Sequence, residues 1–272
     1  MSVINTNVSA LYSQGALKTN QRAMSTVMQQ LSTGSRVNSA KDDAAGLAIG
    51  QTMTAQIKGL NQAVRNLNDG INMMQTAEGA MTEVSNMLQR MRELAVQSAN
   101  GTYSSTQRGY LQTEFAALSS QITRVGNETL WNGTQVLATA ANTFVFQAGA
   151  MASQTITATL STAMTATGLA VDVLSIGTST TAITGIATLD TALGLVNAQR
   201  ASFGATINQM TYGADNLTSI AANTTASRSS IMDTDYATAS TQLSKTQIIQ
   251  QAATAMLAQA NQQPQSVLAL LK

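Results

Sequence analysis

Ile57-Lys58-Gly59-Leu60-Asn61-Gln62-Ala63-Val64-Arg65-Asn66-Leu67-Asn68-Asp69-Gly70-Ile71-Asn72-Met73-Met74 is the stretch that decides the fold. Its residues Ile57, Leu60, Val64, Leu67, Ile71 and Met74 alternate spacings of three and four, which places them on one stripe of a helix. The phase slips near Ala77 and resumes with Met81, Val84, Leu88, Met91 and Ala95. One helix from about Asp42 to Ser98 would be roughly 85 Å long at the rise of an α-helix. That exceeds what a compact domain needs, so a rod-like, mainly α chain is expected.

Toward the C-terminus, Asn100-Gly101 breaks the pattern, and Leu111, Phe115, Leu118, Ile122 and Val125 restart it after a short connection. So brief a link favours an antiparallel helical hairpin, closed by Gly126-Asn127. Trp131-Asn132-Gly133 then reads as a turn and Phe144-Val145-Phe146 as strand, while Thr, Ala and Ser dominate from Ala138 to Thr188. This is the composition of a small β-rich insert with polar loops. Helical spacing returns at Leu189, Leu193, Val196, Phe203, Ile207, Met210 and Leu217, with Arg200 on the stripe. A last helix carries Leu243, Ile248, Ile249, Met256 and Leu257, and Pro264 is predicted to kink or end it before Val267 and Leu268.

Toward the N-terminus, Val3, Ala10, Leu17, Met24 and Leu31 recur every seven residues, flanked by Ile4, Leu11, Val27 and Met28, which is a helix seam. Ser32-Thr33-Gly34-Ser35 interrupts it, and Ser39 with Asp42 resembles a capping box for the next helix. The expected architecture is an elongated helical bundle or coiled coil made by the N- and C-terminal segments. The segments are 1–41 and 235–272 as one helix pair, 42–137 and 189–234 as a second helical domain, and 138–188 as the insert.

Composition removes whole classes of chemistry. With no Cys and no His among 272 residues, thiolate nucleophiles, imidazole bases and the usual zinc ligands are missing. No catalytic, metal or cofactor-binding residue is expected, and no cofactor. A net charge of +1, without Lys/Arg clusters interleaved with aromatics, gives no reason to expect nucleic-acid binding. Residues 1–41 hold Lys18, Arg22, Arg36 and Lys41 but no acid, and beyond Asp235 the charged side chains are Lys245 and Lys272. Both ends are therefore amphipathic and nearly uncharged. No run reaches the length of a membrane span, and Met1-Ser2-Val3-Ile4-Asn5-Thr6-Asn7 lacks the pattern of a cleaved leader, so secretion would use another route.

Asp42-Asp43 and Asp233-Thr234-Asp235 sit at helix starts and read as caps rather than ligands, since no third ligand or Gly-rich calcium loop accompanies them. Several of the 14 Met residues, including Met24, Met74, Met81, Met91, Met210 and Met256, occupy seam positions and read as core.

Several long motifs resemble bacterial flagellin, in the right order. They are Ile4-Asn5-Thr6-Asn7-Val8, Leu31-Ser32-Thr33-Gly34, Asn38-Ser39-Ala40-Lys41-Asp42-Asp43-Ala44-Ala45-Gly46-Leu47, the helix Gln89–Asn100, Asp233-Thr234-Asp235-Tyr236-Ala237 and Leu257-Ala258-Gln259-Ala260-Asn261-Gln262. The likeness covers about residues 1–137 and 189–272, and the short middle departs from it, so the outer domains of large flagellins are expected to be missing.

The resemblance implies a structural subunit that polymerises into the hollow helical filament of the bacterial flagellum and serves swimming. It implies export, unfolded, by the flagellar type III system, and an extracellular location. Inner-core packing is then expected of Ile4, Val8, Leu11, Leu17, Met24, Leu31, Leu243, Ile249, Met256, Leu257, Leu268 and Leu271. Gln89, Arg90, Glu93, Leu94, Gln97 and Glu114 match the positions by which flagellins meet the vertebrate toll-like receptor. Implied partners are further copies of the chain, the flagellar cap and hook-junction proteins, and an export chaperone at the C-terminal end, with no membrane insertion. A hook-filament junction protein, which shares the end helices, is the alternative; abundance and self-polymerisation separate the two.

Overall fold

The computed structural model describes the backbone of residues 6–269 and the side chains of residues 6–262. Along it run α1 (Val8–Thr33), α2 (Ala44–Ala99), α3 (Ser105–Glu128), β1 (Leu130–Trp131), β2 (Thr134–Gln135), β3 (Asn142–Gln147), β4 (Thr155–Leu160), α4 (Ser179–Met232) and α5 (Tyr236–Ala269). Two units form, one from residues up to Ile57 together with those from Ala222 on, the other from Lys58–Ala221. The mainly α fold with a small β insert is as the periodicity predicts.

In the unit of residues 58–221, the stripe of α2 is the core. Met74, Ala77, Met81, Val84, Leu88 and Met91 are buried against Phe115 and Ile122 of α3 and Leu189, Val196 and Phe203 of α4. A second cluster joins Leu60, Ala63 and Leu67 to Met210, Ala214 and Leu217. The phase slip read in the sequence has a structural counterpart: Met73 and Met74 are both buried, so the stripe widens by one position before continuing.

Chain turns follow local chemistry. Asn132 and Gly133, with φ of 47° and 80°, form the two-residue loop between β1 and β2, and both need a left-handed backbone. In β4, Ile156, Ala158 and Leu160 are buried and the intervening Thr157 and Thr159 are exposed, the alternation of a strand with one face on a core. Gln199 of α4, itself buried, serves β4 as a partner strand would: its Oε1 accepts the Ser161 N–H at 2.9 Å and its Nε2 donates to the Thr159 carbonyl at 2.9 Å.

The expected insert of 138–188 is shorter than predicted, because α4 starts at Ser179 rather than near Leu189. Its first turns bury Ala182 and Gly185, small residues that carry the stripe without large apolar side chains. The loop before it is fixed at Ile176, whose carbonyl accepts from Ser98 Oγ and whose N–H donates to Gln112 Oε1. The C-terminal carbonyls of α2 are also met from outside the helix. Arg108 donates to those of Ser98 and Asn100 at 2.8 and 3.0 Å, and Ser179 Oγ to that of Ala99 at 2.7 Å.

In the other unit, α1 ends at Gly34, whose φ of 71° makes it a left-handed cap. The two connectors then pair: Arg36 N–H donates to the Met232 carbonyl at 2.7 Å and Thr234 N–H to the Gly34 carbonyl at 2.9 Å. The predicted Ser39–Asp42 capping box is replaced by a division of labour. Asp42 closes the connector by accepting the Ser39 hydroxyl and the N–H groups of Ser39 and Asn38, which holds its pKa below the ordinary carboxylate value. Asp43 caps α2, accepting the Gly46 N–H at 2.8 Å. Asp235 caps α5 through the Thr238 hydroxyl and the N–H groups of Thr238 and Ala237, and its pKa is likewise lowered. The helix runs on through Pro264 to Ala269 rather than ending at the proline.

Candidate functional site

The feature that sets this chain apart from an ordinary helical domain is the pairing of its terminal helices. On α5 the buried and half-buried positions are 239, 243, 246, 250, 253, 257 and 260, and on α1 they include 10, 13, 17, 20, 24, 27 and 31. Both sets alternate spacings of three and four, the seam of a coiled coil. Leu17, Met24, Leu31, Leu243 and Leu257 of the predicted packing residues lie on this seam.

Polar groups are set into the seam as well, and sequence reasoning passed them over. Asn20 is buried and its Nδ2 donates to the Thr246 carbonyl at 2.8 Å. At the helix end, Asn7 accepts the Ala10 N–H on Oδ1 at 3.0 Å, capping α1, while its Nδ2 donates to the Ala260 carbonyl of α5 at 2.7 Å. The signal for Asn20 was present: it lies one heptad before Val27.

Val8, Leu11, Ile249 and Met256 are exposed, off the seam, at 47%, 59%, 41% and 64%. Tyr12, Met28, Tyr236 and Ile248 share that exposure. The helix pair thus presents a second set of apolar side chains that its own chain leaves uncovered. Ile4 and Leu271 lie outside the described residues, and so does the side chain of Leu268.

The predicted receptor positions divide. Arg90 of α2 joins two acids, Nε to Glu114 Oε1 of α3 at 2.9 Å and Nη1 to Glu93 Oε2 at 3.0 Å, and these partners raise its already high pKa. Gln89 is exposed, and exposed Gln97 donates to the Tyr103 hydroxyl at 3.0 Å. Leu94 is buried in the helical core, facing away from that group. Among the described residues no group of three or more Cys, His, Asp or Glu could hold a metal ion, and no helix is long and apolar enough to cross a membrane.

Residues 4–142 match the bacterial flagellin N-terminal helical region, and residues 186–271 match the bacterial flagellin C-terminal helical region. The chain is 40% identical to the flagellar filament 33 kDa core protein of Treponema phagedenis, over 99% of this chain and 100% of the relative. It is 41% identical to a flagellin of Halalkalibacterium halodurans, over 99% of this chain and 100% of the relative. The crystal structure of Bacillus cereus flagellin superposes with a TM-score of 0.50 at 33% identity, covering 60% of this chain and 94% of that one.

Proposed function

The chain belongs to the bacterial flagellin family, and from that premise we infer how its surfaces are used. It is a structural subunit of the flagellar filament, a self-polymerising extracellular appendage. It works by assembly rather than catalysis.

The observation that carries the reading is the uncovered apolar set on α1 and α5. Fully burying each such side chain against a neighbour is worth about 1.5–3 kcal/mol, so Val8, Leu11, Ile249 and Met256 drive the helix pair into contact with further copies. Lys18, Arg22 and Lys245 are the described charges on these two helices, so stacked copies meet with little like-charge repulsion and the contact is insensitive to salt. Heterologous packing of this kind does not close on itself and gives a helical filament.

Further roles follow from the same premise. The subunit leaves the cell unfolded through the flagellar type III apparatus, and its filament turns motor rotation into thrust. The exposed Ile248, Ile249 and Met256 of α5 suit the groove of an export chaperone, by the mode in which an amphipathic helix docks its apolar face. The cap and hook-junction proteins meet the two ends of the polymer, and Gln89, Arg90, Glu93 and Glu114 offer a polar, exposed face to the vertebrate toll-like receptor.

The test is electron microscopy of the purified chain before and after seeding with sheared filament ends, beside a version lacking residues 236–272. Long filaments from the full chain and none from the truncated one are expected. A full chain that stays monomeric under every polymerising condition would favour the hook-filament junction reading instead.

A further inference from the structure

A seam of small and apolar residues repeating every seven positions has several registers open to it, because a slip of one heptad restores the same pattern of contacts. Something in the chain must choose among them. The charged groups on α1 and α5 are too few and too exposed to do so.

We propose that Asn7 and Asn20 set the register of the terminal helix pair, each by donating its side-chain amide to one backbone carbonyl of α5. The acceptor of Asn7 is special. Ala260 lies four residues before Pro264, and a proline has no N–H to complete the helical hydrogen bond to that carbonyl. Inside the helix Ala260 would therefore be left with an orphaned acceptor, and the Asn7 amide at 2.7 Å supplies the missing donor. Asn7 and Pro264 are thus complementary across the seam, and the match explains how α5 continues through the proline.

Asn20 acts in the middle. It is buried at 9% exposure, opposite Thr246 at 2%, so any slip that is not a whole heptad would bury its amide with its hydrogen bond unmade, while the choice among whole-heptad registers falls to Asn7 and Pro264. Both pins agree on one antiparallel register: the step from Asn7 to Asn20 on α1 is matched within one residue by the step from Ala260 back to Thr246 on α5. The hydroxyl of Tyr236 near the Leu31 carbonyl continues the same register to the far end.

The protein has no cysteine, so introduced pairs report register without interference. Counting from Asn7–Ala260, Leu17 faces Gln250, and one heptad away lie Leu243 and Leu257. Three double-cysteine chains, L17C/Q250C, L17C/L243C and L17C/L257C, are polymerised and oxidised, and intrachain disulfide is read by mass. The parent seam is expected to cross-link almost wholly in L17C/Q250C. With N7A and N20L added, the two slipped pairs should rise at least fivefold at the expense of the in-register pair. Unchanged selectivity in the N7A/N20L chain would overturn the proposal, since loss of stability alone lowers all yields without creating slipped ones.

A variant that does not polymerise alone is mixed at one part in ten into cysteine-free parent subunits, and one excluded from the lattice is read as the soluble chain. Failure of the parent itself to polymerise would count against the filament reading and leave the register measurable in solution. The complementary test uses Pro264→Ala, which restores a donor for the Ala260 carbonyl. In that background Asn7→Ala should no longer reduce cross-linking of A10C/L257C, and an equal reduction with and without Pro264 would remove the proline from the account.

Discussion

Arg200 of α4 directs two donors at a single oxygen of Glu78 on α2, Nε at 2.9 Å and Nη2 at 2.7 Å from Oε1, while Oε2 is buried without a hydrogen-bond partner. The pair sits on the stripe between the helices, with its side chains about a third exposed. It is neither a surface pair worth little nor a fully buried one.

Removing the guanidinium while keeping the apolar stem therefore leaves a half-buried carboxylate facing the core. Arg200→Met is expected to cost about 2 kcal/mol, intermediate between those two cases. For a protein of this size that is about 4–8 °C in Tm, measurable by scanning calorimetry of the subunit. Adding Glu78→Leu should restore most of the loss, because the double variant leaves no charge to bury; a double variant less stable than the single one would contradict the argument.

Glycines divide by what stands beside them. Gly126 of α3 has the Met164 carbonyl oxygen 2.5 Å from where a Cβ would sit, and that segment is held by the Met164 N–H bond to Leu137. Gly126→Ala must push backbone aside at about 1–3 kcal/mol, more than the helical propensity it gains, and should lower Tm. Gly79 of α2 has no atom within 4 Å of that position. Gly79→Ala should raise the subunit's Tm, by about 0.5–1 kcal/mol of stability. Two variants moving the same way would show that the close approach at Met164 is not what decides.

How much of this was legible depended on which residues did the work. The long stripe from Leu60 to Met91 announced α2 because burial requires large apolar side chains at helical spacing, and the Asn132-Gly133 turn announced itself through its backbone demands. The first turns of α4 did not, since Ala182 and Gly185 bury a helix face that carries Thr on both sides, and packing outweighs propensity there. The register pins were only half legible: Asn20 is marked by its place one heptad before Val27, but Asn7 and Asn20 act on backbone carbonyls, which leave no mark in the partner's sequence apart from Pro264. Val8, Leu11, Ile249 and Met256, expected to pack in the inner core, are exposed in the single chain, and hydrophobicity alone does not distinguish a stripe that the same chain covers from one that it leaves uncovered.

Acid should loosen the terminal pair through its caps. Hydrogen bonds from Thr238 and Ala237 hold the Asp235 pKa below the ordinary 3.8, so the ionised cap stabilises α5 in full above that value. The contribution is lost as pH falls through the lowered folded-state pKa. The melting temperature of the polymer, followed by circular dichroism, should fall as pH drops below about 4 and on through the lowered folded-state pKa, and less steeply in Asp235→Asn, whose amide caps without titrating. Equal acid sensitivity in both chains would assign the effect to other carboxylates.

The proposed receptor face makes a prediction that separates contact from support. Arg90, exposed and held between Glu93 and Glu114, presents its charge at the surface, so Arg90→Ala should weaken binding to the toll-like receptor ectodomain at least tenfold while leaving the melting curve nearly unmoved. Leu94 is 1% exposed and packs with Leu88, Met91 and Phe115 in the core, so it cannot touch a partner without unfolding part of α2. Leu94→Ala should lower stability by about 2–5 kcal/mol, and any loss of receptor binding should disappear when it is measured well below the lowered Tm. Binding by surface plasmon resonance beside calorimetry on both variants decides the matter. A stably folded Leu94→Ala chain that still fails to bind would mean that the receptor engages the helix from the side that the subunit keeps buried.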